Sequence, residues 1–551
     1  MAASAGLPSS TDSPAELPAT QLALAISQRT HARLKTGSII TGGRVRNGAQ
    51  VFLNVPYALQ VPRWSDPQPI PDDYLYPDNE YVFDALYCTQ PQGTLPRLGS
   101  SNTNIDRHGL GSPTDNPFLA DIYVPSQIDL MDPKAGLLPV KVFIHGGFLQ
   151  IGSKSGSLYS GQQHCAEVRK EVRILISYRL SVLGFLAAKK PKLEGNYGLK
   201  DIWVALEWIK GNVSSFGGDS AQIHLAGLSG GGHAVAQMLH QVSHRSPARA
   251  PFVTATLHSN AILSNPQDLD TAQKQFEVLC RMLDLEPHQN DVLERLRDTS
   301  SGQLMEAVGN MGQHNTFRPA YGQDEWLKEL VMHQRSSTFA EGLQSAGVKS
   351  VLLTEVSEEQ AFYRFSHPST ASPNVGEGWK EYNTRAYEEL LQNLNRYYQP
   401  SDAQALAKTY PILPPCATRG DIDGLLGQML ADGQVYIPTR QLARDLLLNG
   451  FPCIRLQTRF LSNLKRQSSP YVVHGSDLVL HQLRLPTLTP EEVAVSVNLL
   501  DTLDKERAKA EKGELHRADE MLCLMADGKI EWLPDDWYPM LMRKEAALRH
   551  I

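Results

Sequence analysis

The 551-residue sequence has no run of 18 apolar residues, so no segment is expected to cross a bilayer as a helix. It has no long basic run either. With 52 Lys and Arg against 59 Asp and Glu, the net charge of −7 gives neither nucleic acid nor an anionic membrane a surface to hold. Six cysteines are scattered at Cys88, Cys165, Cys280, Cys416, Cys453 and Cys523 without a C-x-x-C pair, which excludes the usual zinc and dithiol signatures. They read as free thiols, and no metal and no organic cofactor is expected. The first twenty residues, rich in Ala, Ser, Pro and Thr, lack a basic stretch followed by an apolar core, so residues 1–30 are expected to be a flexible tail and not a secretory signal. No internal repeat occurs. A soluble, cytoplasmic protein is expected, with residues 31–551 forming one domain.

The most distinctive stretch present is Asn212–Ala234, NVSSFGGDSAQIHLAGLSGGGHA. Gln222–Ala226 alternates as a strand, Gly227-Leu228-Ser229-Gly230-Gly231 fits G-x-S-x-G, and His233–His240 continues as a helix. A serine at such an abrupt strand-to-helix turn sits in a strained conformation that larger flanking side chains would obstruct. Ser229 is therefore the candidate nucleophile.

Upstream, Val140–Gly147 reads VKVFIHGG, a buried strand that ends in a glycine pair. A serine attacking an ester carbonyl drives negative charge onto oxygen. Backbone N–H groups free of intervening side chains can receive that charge, and losing one donor costs roughly a hundredfold or more in rate. Gly146 and Gly147 are candidates for two such donors, and Gly230, opening the helix after Ser229, for a third.

These blocks resemble the type-B carboxylesterases and cholinesterase-like proteins of the α/β-hydrolase fold. The likeness begins near Gly37 and includes Asn54-Val55-Pro56-Tyr57-Ala58, similar to the family's G-I-P-Y-A, and Cys88-Thr89-Gln90. It continues through Ser177-Tyr178-Arg179-Leu180 to Gly184-Phe185-Leu186, then Asn196-Tyr197-Gly198-Leu199-Lys200-Asp201, and Phe216-Gly217-Gly218-Asp219 leading into the elbow. The resemblance implies a central, mostly parallel sheet with helices on both faces and helical cap insertions over the pocket, here assigned to 279–344 and 379–449. Secreted relatives close a disulfide from the position of Cys88 to a cysteine in an E-D-C-L block. This chain has Asp115-Asn116-Pro117-Phe118 there, so Pro117 replaces the partner, as a reducing compartment would allow.

In this fold the acid and the histidine follow the serine in that order. Val351–Thr354 reads as a buried strand, followed by Glu355-Val356-Ser357-Glu358-Glu359-Gln360-Ala361-Phe362. Aligning its aromatic with the family's D-E-G-x-x-F puts Glu359 at the acid, with Gln360 replacing the glycine and Glu358 and Glu355 as rivals. Tyr471-Val472-Val473-His474-Gly475-Ser476-Asp477-Leu478 reads as a short strand delivering a histidine into a loop, similar to H-G-x-D/E-L, which makes His474 the base. His233, four residues after Ser229, is its rival. His145 is expected to brace the oxyanion loop, and Ser259 matches a family serine that contacts the acid.

These residues imply a Ser229–Glu359–His474 triad that hydrolyses a carboxylic ester through an acyl-enzyme. An acyltransferase or lyase-like enzyme using the same serine, or an inactive adhesion or scaffold relative, stand as alternatives. Most family elbows read G-E-S-A-G, whereas Leu228 replaces the acid here, and no tryptophan occurs between Cys88 and Asp121 to receive a quaternary ammonium. With Leu228 and Phe148 beside the reacting atoms, an uncharged, apolar or bulky ester or lactone is expected.

Overall fold

The computed structural model describes residues 26–548 apart from 46–47, 78–79, 84–85, 92–111, 133–136, 160, 245–248, 322–325, 328, 367–378, 412, 415–416 and 468. The expected tail and Cys416 lie largely or wholly outside the described residues.

A single 12-stranded sheet runs through the molecule. Its strands are β1 (Ile26–Arg33), β2 (Ile39–Val45), β3 (Gln50–Pro56), β4 (Leu119–Val124), β5 (Leu138–Ile144), β6 (Val172–Ile176), β7 (Gly218–Leu228), β8 (Thr254–His258), β9 (Ser350–Val356), β10 (Cys453–Thr458), β11 (Glu520–Leu524) and β12 (Ile530–Pro534). In space the order is β1-β2-β3-β4-β6-β5-β7-β8-β9-β10-β11-β12. From β6 across to β11 every neighbouring pair is parallel, while β1 to β4, the β4–β6 pair and the terminal β11–β12 pair are antiparallel. The central sequences show why. β6 (VRILI) and β9 (SVLLTEV) are buried at every position, the continuous pattern of strands covered on both faces.

Helices fill those faces. Tyr197–Asn212 and Gly230–His244 bury most of their residues and share the principal core with β5, β7 and β8. Between β8 and β9, helices Leu269–Met282, Val292–Asp298 and Ser301–Asn310 send Phe276, Leu279, Leu296 and Leu304 into the same core. Between β9 and β10, Trp379–Leu394, Pro400–Lys408 and Arg419–Ala431 behave differently. Their apolar side chains, including Leu394, Leu406, Met429 and Leu430, form a second cluster closed by Leu541 and Leu548 of the C-terminal Tyr538–Leu548 helix, whereas Leu442 and Leu446 of the Ile437–Leu448 helix pack into the principal core. Among the described residues no helix is long and apolar enough to cross a membrane, and Cys88, Cys165, Cys280, Cys453 and Cys523 are buried free thiols.

Parallel strands that end together gather their following residues along one edge. Ile144 lies opposite Gly227, Leu228 opposite His258, and His258 opposite Thr354. His145, Ser229, Ser259 and Glu355 therefore emerge side by side at the carboxyl ends of β5, β7, β8 and β9, where an open α/β sheet places its ligands.

Candidate active site

The elbow is built by close approach of backbones. Ser229 has φ +57°, a left-handed conformation that costs a serine on the order of 1–3 kcal/mol. It is held by its N–H donating to the His258 carbonyl at 2.8 Å, while its own carbonyl accepts from the His233 N–H at 2.9 Å. A Cβ on Gly227 would stand 2.4 Å from the Gly231 carbonyl group, and one on Gly231 would stand 2.2 Å from Ile144 O. The glycines let the helix begin at Gly230, three residues before the expected His233, and press it against β5.

The loop after β5 folds over the elbow. The expected donor Gly146 is already engaged, since its N–H donates to the Tyr159 hydroxyl at 2.6 Å. Gly147 has φ +118°, and Phe148 and Leu149 are also left-handed at +61° and +60°. Gln150 and Ile151 donate back to Gly147 O, both at 3.0 Å, and Ser181 N donates to Leu149 O at 2.8 Å, so the chain is fixed in this shape. A Cβ on Gly230 would lie 2.9 Å from both Phe148 N and Leu149 N. The N–H groups of Gly147, Phe148 and Gly230 make no hydrogen bond among the described residues. His145 is buried behind this loop, stacked on Tyr178 with centroids 4.8 Å apart and its Nδ1 2.8 Å from Gly146 O.

Of the three glutamates at the end of β9 and immediately after it, one meets the histidine. Glu359 is fully buried, and its Oε2 lies 2.6 Å from His474 Nδ1. Its Oε1 accepts from Val356 N at 3.2 Å, while Tyr436 Oη accepts from Glu359 N at 3.0 Å and donates to Val356 O at 3.1 Å. The rivals are committed elsewhere. Glu358 Oε2 accepts from Val472 N at 2.7 Å, and Glu355 makes a two-pronged ion pair with Arg440 at 2.9 and 3.0 Å. Ser259, at φ +51°, is fully buried, and its hydroxyl makes no hydrogen bond, to Glu359 or to any other of the described residues.

His474 itself does not follow a strand. Among the described residues, 471–473 lack a ladder partner, and Val472 is fastened by the side chain and N–H of Glu358, the latter donating at 3.3 Å to Val472 O. The imidazole stacks on Phe362 at 4.7 Å and leans on Tyr363 at 5.7 Å. Its side chain is 5% exposed, and its Nε2 is buried without a hydrogen-bond partner among the described residues. Gly475, at φ +71°, passes over Leu228, whose Cδ2 would meet a Cβ there at 3.1 Å. Leu228 thus packs beneath the histidine loop with Leu478, Phe143 and Tyr159. The rival His233 accepts at Nε2 from Gln237 at 3.1 Å, and burial followed by the positive charge of Arg318 pushes it down to about 4.

Beside the elbow a cleft of about 660 Å³ is walled by Phe148, Gly230, His233, Asn260, Arg318, Tyr397 and Gln434, among others. Phe148 packs on Tyr397 at 4.4 Å, and Gln434 donates to the Tyr398 hydroxyl at 2.7 Å. Tyr159, Tyr436, Phe362 and Arg318 escaped sequence reasoning. Only the aromatic position of Phe362 carried a signal, as the marker for aligning the acid.

A serine elbow and an adjacent glycine loop at the carboxyl edge of a mostly parallel sheet, with a buried carboxylate-histidine pair on later loops, define an α/β-hydrolase. A thermophilic PNB esterase structure superposes with a TM-score of 0.69 over 95% of this chain and 100% of that one, at 20% identity, and a second PNB esterase with 0.67 over 94% and 100%. Residues 28–496 match the model of the carboxylesterase family, and the chain belongs to that family. It is an esterase-type hydrolase. It is 27% identical to an uncharacterized esterase/lipase of Schizosaccharomyces pombe over 86% of this chain and 87% of that protein. It is also 27% identical to the para-nitrobenzyl esterase of Bacillus subtilis (61% and 64%) and 31% identical to a liver carboxylesterase of Sus scrofa (42% and 39%).

Proposed function

We propose that the protein hydrolyses carboxylic esters with Ser229 as nucleophile, His474 as general base and Glu359 as the acid that orients it. The observation that carries this reading is the 2.6 Å contact between His474 Nδ1 and Glu359 Oε2, with Nε2 left unpartnered. Glu359 fixes the tautomer with the proton on Nδ1, so Nε2 accepts the Ser229 proton as the hydroxyl attacks the ester carbonyl. Gly147, Phe148 and Gly230 offer N–H groups to the developing oxyanion, Phe148 taking the role first expected of Gly146. His474 then protonates the leaving alcohol. Water, deprotonated by the same imidazole, releases the acid from the acyl-enzyme and restores Ser229.

The helices of 379–449 act in this reading as a cap, supported by Tyr397, Tyr398 and Gln434 on the cleft wall, and the segment 279–344 contributes Arg318. That wall is more polar than the apolar ester expected from the sequence requires. Arg318 disfavours a cationic alcohol, because it repels a quaternary ammonium instead of replacing the hydration that ion loses, whereas Leu228, expected beside the substrate, is buried beneath the histidine loop and is not among the residues that wall the cleft. The free thiols and Pro117 support a reducing compartment. Ser229→Ala tests the reading directly: turnover of p-nitrophenyl butyrate and labelling by a fluorophosphonate should both vanish. Labelling that survives the substitution would move the nucleophile elsewhere.

A further inference from the structure

Arg318 differs from Arg179, Arg440 and Arg455, three guanidiniums set deep in this protein. Arg179 pairs with Asp201 at 2.6 Å, Arg440 with Glu355 at 2.9 Å and Arg455 with Asp535 at 2.6 Å. The Arg318 guanidinium is half-buried in the cleft wall and has neither an ion pair nor a hydrogen bond among the described residues. Burial pushes it down to about 10, with only partial relief from the charges of Asp402, Tyr398 and Asp268, so it remains a cation at neutral pH. Neither acid is turned to it. Asp268 spends its oxygens on the N–H and hydroxyl of Thr271, and Asp402 accepts from Ser401.

The position is built, not incidental. Gln150 of the oxyanion loop clasps the preceding residue, with Nε2 donating to Phe317 O at 2.5 Å and Oε1 accepting from Phe317 N at 3.0 Å. On the other side Gln267 donates to Arg318 O at 3.3 Å and, through its backbone N–H, to Pro319 O at 3.0 Å. The cation therefore rides on the same frame as Phe148 and Gly230, with which it shares the cleft. It lies close enough to His233, one turn along the helix from Ser229, to depress that imidazole. A half-buried, unpaired cation is costly, and the cost is recovered when an anion enters. The planar fork of donors matches a carboxylate in two parallel hydrogen bonds.

We propose that Arg318 is an anion subsite and that the substrate is a carboxylic ester carrying a second, ionised carboxylate, which Arg318 holds while Ser229 attacks the ester carbonyl. This rests on the ester-hydrolase reading above and adds the substrate class to it. The anion can belong to the acyl or to the alcohol half, and two substrate pairs separate these sources. For the acyl half, p-nitrophenyl hydrogen adipate is compared with its neutral methyl ester, and for the alcohol half, 4-acetoxybenzoate with methyl 4-acetoxybenzoate. In one pair the anionic ester should show a kcat/KM about tenfold to a hundredfold higher, the range of a charge-assisted hydrogen-bonded pair. Arg318→Gln should erase that preference, bringing the ratio of kcat/KM for the anionic ester to that for its neutral partner down to about one. Arg318→Lys, which keeps the charge but loses the fork, should retain part of it. Equal rates within both pairs, or a preference that survives Arg318→Gln, would overturn the subsite. Failure of wild type on the neutral esters as well would instead overturn the Ser229 reading on which it stands.

Discussion

Two buried glutamates four residues apart, Glu355 and Glu359, leave the end of β9 for opposite tasks. Glu355 lies in a closed ionic lattice. Arg440 grips both of its oxygens, Gln457 donates to Oε1 at 2.9 Å and Thr439 to Oε2 at 3.2 Å, while Asp535 ties Arg440 to Arg455. Burial works against the ionised form of Asp535, but the two arginines outweigh it and hold that carboxyl below the usual range. Glu359 has a poorer set of partners, one backbone N–H and an imidazole, and the imidazole ends in an unpartnered nitrogen. A carboxylate facing a permanent cation fixes geometry. One facing a titratable ring can stabilise a charge that appears only during a reaction.

The comparison breaks if the two glutamates exchange phenotypes. Glu359→Gln should lower kcat by about ten-thousandfold, as loss of a triad acid does elsewhere, with little change in unfolding free energy, because the amide can still occupy the space and accept from Val356 N. Steady-state kinetics beside urea denaturation would measure both. Glu355→Gln should do the reverse. Leaving Arg440 with half its buried counter-charge costs about 3–5 kcal/mol of stability, while kcat per folded molecule changes little. If Glu355→Gln reduced kcat as severely as Glu359→Gln in fully folded protein, the division of labour drawn between them would be wrong.

Much of the candidate site is legible in the chain because the conformational needs of its parts are local. The glycines around Ser229, the His145-Gly146-Gly147 run and the apolar strand before Glu359 each state their own conformational need within a few residues. What escaped depends on contacts between distant segments. The helix after Ser229 starts at Gly230 because packing against Ile144 overrides the weak helix preference of three glycines. Gly146 loses its N–H to Tyr159, thirteen residues on, and Phe148 adopts a left-handed conformation that no local rule assigns to it. Arg318 lies 89 positions after Ser229, on a loop fixed by Gln150 and Gln267, so neither its solitude nor its place in the cleft had a local signature. The 471–473 segment has the composition of a strand but finds no ladder partner among the described residues.

The smallest effect is expected at the third glutamate, Glu358, which sits between the two tasks. Its Oε2 accepts from Val472 N and its N–H donates to Val472 O, so it fastens the segment that carries His474 without touching the imidazole. Replacing it by glutamine keeps an acceptor oxygen and the backbone bond, and removes only the charge assistance. That is about 1 kcal/mol of stability and, through slightly looser placement of His474, less than about tenfold in kcat. KM should not move, since the cleft wall is untouched. Glu358→Ala removes the acceptor altogether and should act more strongly in the same direction, on kcat alone. A loss in Glu358→Gln equal to that of Glu359→Gln would mean that the charge of Glu358, and not its hydrogen bond to Val472, governs the histidine, and the acid would have to be moved by one residue.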